Sequence, residues 1–345
     1  MAGATDADMV AAKSTLCTRL LRSAQGGGIV NRRPALALAA AVASATKNVH
    51  AVGVGRKLVN GKVTAERCVR IYVVQKMAKS VMPKSAWLPE SIDGMPTDVI
   101  QSAPAFLAAP NPPCSVNRQK RQDPKVAGIS VGHSNVTAGT LACFCRSTKA
   151  GDPPGAVFAL SNNHVFADLN KAAIGDPLLQ PGPLDGGTAA DAFATLFRFQ
   201  PIAFGETAGN KVDAAIGLLT GTGFKKSVCS IGTITGTTTG SENLVVRKHG
   251  RTTGYREGTV TDASYDALVA MDSTGSTVAL FENQLRLGPR APFTDIGLGG
   301  DSGALVFTKQ GRRAVGLYFA NPPSGEYGIA CPIAEVLTAL EIALL

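Results

Sequence analysis

The chain is short of several residue types. Its 345 residues hold one Trp, five Tyr and four His, and only 17% are charged. At 6% of the chain, aromatic residues are too sparse, and too far from the basic runs, to build a stacking surface for single-stranded nucleic acid. The seven cysteines are scattered, with no CxxC and no Cys/His pair at zinc spacing, so neither a metal nor a cofactor is expected. The longest apolar run, Pro34 to Ala45, is shorter than the roughly 20 residues needed to cross a bilayer. There is no Gly-X-Y period and no fixed internal repeat, which excludes collagen and solenoid architectures.

What is present is a chain that is 45% hydrophobic, with 38 Gly and 20 Pro, the profile of a folded protein rather than a disordered one. Its net charge of +9 is unevenly placed. Residues 1–125 carry 18 Lys+Arg against 7 Asp+Glu, whereas residues 126–345 carry 16 against 18. The basicity therefore belongs to the first third, and two regions of different chemistry are expected.

Residues 1–33, with Gly26-Gly27-Gly28, read as a mobile tail. A small α/β module is expected at 34–102. It has strands at Val49 to Arg56 and Val69 to Val74, and an Asn60-Gly61 hairpin turn whose residues tolerate positive φ. Pro104, Pro110, Pro112, Pro113 and Pro124 surround Arg118-Gln-Lys-Arg121, which reads as an exposed basic linker at 103–125. From 126 onward, short β-type runs recur between Gly, Thr and Asp turns, the pattern of a sandwich or barrel. The end differs: Ile333, Val336, Leu337, Leu340 and Leu344 form a helical stripe after Pro332.

Three patterns on the β region carry chemistry. Leu160-Ser-Asn-Asn-His164 ends a strand with histidine, Lys211-Val-Asp213 places an acid in an apolar run, and Gly300-Asp-Ser302-Gly puts serine in a glycine-rich turn. A serine hydroxyl near neutral pH needs a base within hydrogen-bond reach. Histidine supplies that base, and a buried carboxylate fixes its tautomer. The flanking glycines permit a tight turn that aims the amides of Gly300 and Ser302 at a developing oxyanion.

These motifs resemble those of the trypsin-like (chymotrypsin-fold) serine peptidases. Gln180-Pro-Gly-Pro-Leu-Asp-Gly-Gly187, Lys248-His-Gly-Arg-Thr-Thr-Gly254 and the segment starting at Asn48 are similar to the bacterial and NARROW LEAF 1-like branch. The resemblance implies a mainly β, chymotrypsin-like double β-barrel over 126–345, with the small N-terminal α/β module before it and the C-terminal helix after it. It implies His164 as general base, Asp213 as its orienting partner and Ser302 as nucleophile of a serine endopeptidase. The alternative is a catalytically silent binding or scaffold protein on the same fold.

For the specificity pocket, counting six residues back from Ser302 gives Ile296, which disfavours Lys or Arg. A shift of one residue gives Asp295 and reverses that preference. The opposite wall is expected at Leu317, Tyr318 and Phe319. Val165 stands where secreted relatives commonly carry a disulfide cysteine beside the histidine, and with the scattered thiols this favours the cytoplasm. Arg32-Arg33 before Pro34 to Ala45 reads either as an export signal or as an Ala-rich helix, so secretion is the alternative. Ile29-Val30 lies too far before His164 to serve as an activating N-terminus. The expected partner is a protein or peptide substrate; nucleic acid is not expected, nor is a membrane span, and a homo-oligomer is compatible with the sequence.

Overall fold

Strand-forming runs dominate the molecule, as the β-branched residues between Gly and Asp turns dictate. The computed structural model describes residues 5–22, 48–59, 61–102, 104–105, 117–221 and 223–345. Gly26 to Gly28, Ile29-Val30, Arg32-Arg33, the Pro34 to Ala45 run, Asn60 and the linker residues Pro110 to Cys114 lie outside the described residues. Two units make up the chain: Met1–Leu107 with Ala203–Asn210 and Thr261–Arg286, and Ala108–Ile202 with Lys211–Val260 and Leu287–Leu345.

In the first unit, strands Val49–Val59 and Lys62–Val73 form an antiparallel hairpin closing at the pair Val59 and Lys62. Met95–Gln101 adds in parallel to the second strand, and Ala51, Val52 and Gly53 pair on the other side with Ala267, Asp266 and Tyr265. One face is covered by the helix Asp6–Cys17, opened by a Thr5/Asp8 capping box, and by the turn Thr18–Arg22. Met9, Leu16, Leu20 and Leu21 are buried there with Val52, Val69, Ile71 and Leu268.

Residues 6–22 are therefore a packed helical element and not the mobile tail the sequence suggested. Lys13 explains why the stripe was illegible: it faces inward, where its ammonium meets Asp266 at 2.8 Å, Asn283 at 2.8 Å and Ser264 at 2.9 Å. A buried lysine reads as a solvated one until its partner is known. The expected boundaries at 33, 102 and 125 also differ from the two units, because the 17-residue strand Gly254–Ala270 supplies the edge that Val49–Val59 needs.

Strands between residues 130 and 332 form two six-stranded barrels. In the first, Ser130–His133, Pro177–Leu179, Ala192–Phe199, Ala215–Leu219 and Phe158–Ser161 pair in that order. The bent segment 139–147 closes it, pairing with Ser130–His133 at one end and with Phe158–Ser161 at the other. In the second, Val245–Gly250, Leu305–Thr308, Ala314–Ala320 and Gly328–Pro332 follow one another in the sheet. The strands Gly254–Ala270 and Val278–Pro289 complete that ring by pairing with each other. The expected helix is present as Ile333–Leu340, with Ile333, Val336 and Leu340 buried, but it stops short of Leu344, which lies in the strand Ile342–Leu344 paired with Cys143–Ser147. The fold is a mainly β double barrel with a C-terminal helix, as the resemblance implied. No helix among the described residues is long and apolar enough to cross a membrane.

Leu16→Ala should lower stability by about 2–5 kcal/mol through the cavity left under the helix. Denaturant unfolding of the full chain checks this; an unchanged transition would mean that residues 6–22 do not pack as described.

Candidate active site

Sheet register brings the histidine and the acid together. Ser161 pairs with Ala215 on antiparallel neighbours, so the residues just beyond each strand end meet at one end of the first barrel. The chain turns there into the short helix Asn163–Phe166, which carries His164. His164 Nδ1 lies 2.5 Å from Asp213 Oδ2, and the His164 amide donates to Asp213 Oδ1 at 3.2 Å. Asp213 has no solvent exposure, and its own backbone is held by Asn162 through its carbonyl (2.6 Å) and by Cys331 Sγ through its amide (3.3 Å). A carboxylate so fixed leaves Nε2 as the ring nitrogen able to accept a proton.

Ser302 stands in the turn before the strand Leu305–Thr308, on the second barrel. Gly300 at φ +91° and Gly303 at φ +94° occupy left-handed backbone that other residues rarely adopt. Gly303 is required twice over, because a Cβ there would stand 2.3 Å from Ser161 Oγ and 2.2 Å from the Thr140 carbonyl. A Cβ on Gly139 would meet both Val165 Cγ2, at 2.4 Å, and the Ser302 carbonyl, at 3.0 Å. The serine turn therefore packs directly against the histidine segment. The Ser302 hydroxyl itself donates to the Phe319 carbonyl at 3.0 Å and not to His164. Among the described residues, the amides of Gly300 and Ser302 donate to no protein acceptor.

Asp301 anchors this turn from below. Its fully buried carboxylate accepts from Lys248 Nζ (2.8 Å), Thr253 Oγ1 (2.6 Å), and the amides of Thr252 (2.8 Å), Thr253 (3.1 Å) and Leu298 (3.0 Å). Burial alone would raise the Asp301 carboxyl; the Lys248 ammonium and these hydrogen bonds outweigh it and hold the group below its ordinary value. Thr140 grips the turn from the first barrel, its hydroxyl donating to the Gly300 carbonyl (2.8 Å) and its amide to the Ser302 carbonyl (2.7 Å). Arg251, equally buried, is clasped bidentately by Asp185 at 2.8 and 2.5 Å. Sequence reasoning marked the segments holding Lys248, Arg251, Thr252, Thr253 and Asp185 only as points of resemblance; their common task is to hold the serine turn.

The expected specificity residues fall into two groups. Asp295 is paired with Arg256 at 2.8 Å, while Ile296 is buried against Gly258, where a Cβ would meet its Cδ1 at 2.5 Å. Leu317, Tyr318 and Phe319 are buried in the strand Ala314–Ala320. Tyr318 packs on the turn's support, its ring 5.4 Å from Lys248 Nζ and its hydroxyl 3.1 Å from Asn321. In the first unit, Cys17, Asp266 and Glu282 lie within 4.8 Å of one another. Lys13 and Arg22 already answer those two carboxylates, and burial, then Asp266, pushes the Cys17 thiol up to about 12. That group is charge-balanced without a metal.

No family model matches the chain, and no curated protein matches it. Among solved structures it is similar to a glutamic-acid-specific serine protease that uses a histidine triad in substrate binding (19% identity, 64% of this chain and 100% of that one, TM-score 0.46). It is also similar to Thermobifida fusca protease A (17% identity, 64% of this chain and 97% of that one, TM-score 0.43). A third is Cellulomonas bogoriensis chymotrypsin (17% identity, 64% and 97%, TM-score 0.41).

Lys248→Met leaves the Asp301 charge buried without its cation and should cost about 3–5 kcal/mol at pH 7. The Asp301 value is depressed in the folded state, so its contribution is present above the ordinary 3.8 and is lost as pH falls through the depressed value. The gap between wild type and variant should therefore narrow as acid protonates Asp301. Urea midpoints measured across pH check both statements, and a gap that widens in acid would refute the assignment.

Proposed function

We propose that the second unit is a serine endopeptidase acting through an acyl-enzyme. The observation that carries this reading is the pairing of His164 with the buried Asp213, together with a serine turn whose Gly300 and Ser302 amides have no protein acceptor among the described residues. His164 Nε2 takes the Ser302 proton as Oγ attacks the scissile carbonyl, and Asp213 stabilises the imidazolium that forms. The oxygen of the tetrahedral intermediate receives the Gly300 and Ser302 amides. The imidazolium then protonates the leaving amine, and water repeats the sequence on the ester. Rotation of the Ser302 side chain away from the Phe319 carbonyl precedes attack.

The pairing of Asp295 with Arg256 answers the charge that would have selected a basic side chain, so of the two readings of the pocket we take the apolar one. We place the enzyme in the cytoplasm, since the six described cysteines are free and five of them are buried. A second reading rests on one observation: with Ser302 Oγ bonded to Phe319, the same fold also describes a catalytically silent binding protein.

A fluorophosphonate probe should label the wild type at Ser302 and leave Ser302→Ala unlabelled, while Asp213→Asn should slow labelling by about 10⁴. Mass spectrometry of the labelled peptide reads the result. A folded wild type that takes no label would decide for the silent reading.

A further inference from the structure

We propose that Arg118 is a positioning residue for the oxyanion turn, an inference that deepens the peptidase reading and rests on it for its catalytic consequence. The run Arg118-Gln-Lys-Arg121 reads in the sequence as a solvated linker, but the structure puts it to other use. Arg118 Nε donates to the Arg251 carbonyl at 2.7 Å and Nη2 to the Thr252 carbonyl at 2.7 Å. Those two carbonyls belong to the same peptide groups whose N–H ends, on Thr252 and Thr253, donate to Asp301 Oδ1 at 2.8 and 3.1 Å.

Two consecutive peptide groups are thus gripped at both ends, by a guanidinium fork on one side and a buried carboxylate on the other. The cation polarises both peptides in the direction that strengthens their N–H donation, and the planar fork fixes their orientation. Asp301 in turn lies between Gly300 and Ser302, so the plane of those peptides sets where the two amides of the turn point. A lysine at 118 has one compact ammonium and cannot hold two carbonyls in the same plane.

The rest of the run keeps Arg118 in place. Gln119 is buried, and the Gln180 side chain bridges the Lys120 carbonyl (3.0 Å) and the Gln122 amide (2.8 Å). Arg121, by contrast, pairs with Asp191 at 2.9 Å with its side chain 64% exposed, which makes it the internal control.

The test uses full-length wild type, Arg118→Ala, Arg118→Gln, Arg118→Lys and Arg121→Ala, each first shown to be folded by circular dichroism. Amide hydrogen exchange at Thr252 and Thr253 should be about 10–100-fold faster in Arg118→Ala, partly restored by methylguanidinium, and unchanged in Arg121→Ala. Labelling of Ser302 by a fluorophosphonate should slow about tenfold in Arg118→Ala, with Arg118→Gln and Arg118→Lys between it and wild type. Wild-type exchange at these amides in Arg118→Ala, or an undiminished labelling rate, would overturn the proposal. Should Arg118→Ala not fold, Arg118→Gln and Arg118→Lys carry the same comparison. A wild type that takes no label would remove the peptidase reading while exchange still decides whether Arg118 grips these peptides.

Discussion

A carboxylate with no access to water must be answered by donors, and around Asp301 that requirement organises the whole serine turn. Five donors converge on it, one a lysine ammonium that is itself fully buried. The strand Val245–Gly250 supplies Lys248, and the bend after it supplies Thr252 and Thr253. Four of the five donors come from Lys248, Thr252 and Thr253, so the turn is tied to that strand and the bend after it. Left-handed glycines persist where the surroundings fix them in this way. The cation for Asp301 is Lys248, from within the same barrel.

The arrangement also explains how the serine turn is joined to the first barrel. His164 and Asp213 meet through register on the first barrel, a matter of strand pairing alone. The serine turn is tied to that barrel because Thr140, on the bent segment that closes it, donates twice to the turn. Its hydroxyl also accepts from the Arg251 amide at 2.9 Å, on the segment that holds Asp301. One threonine therefore joins the histidine side, the serine turn and its support. The closeness this demands leaves no room for a Cβ at Gly139 or Gly303.

The fold was legible in the sequence wherever the physics is local. Strand periodicity, the Gly300-Asp-Ser-Gly turn and the stripe after Pro332 as far as Leu340 each follow from neighbouring residues, and the structure contains them. What could not be read depends on partners far away in sequence. The helix Asp6–Cys17 hides its apolar face behind Lys13, whose partner Asp266 lies 253 residues on. Arg118 looks like a linker residue because a side chain bonding two distant carbonyls leaves no periodic trace. The strand Gly254–Ala270 serves both units, which no composition shift announces.

The uneven charge shows how such distance changes a conclusion. Along the sequence, the first third is strongly basic and invites an anionic partner. In the fold, the first unit takes Thr261–Arg286 from the more acidic remainder, and with it the acids that the basic segment lacks. Asp266 meets Lys13, Asp262 faces Arg70 at 3.4 Å, and Glu282 pairs with Arg22. Asp262 also accepts from the buried Tyr72 hydroxyl at 2.8 Å, so this pairing lies inside the unit and not on its surface. Arg118 and Arg121 are likewise occupied, by backbone carbonyls and by Asp191. Part of the basicity counted along the sequence, at Lys13 and Arg70, is internal structure in three dimensions. A buried, paired cation such as Lys13 or Arg70 has no counterions to release to a phosphate backbone.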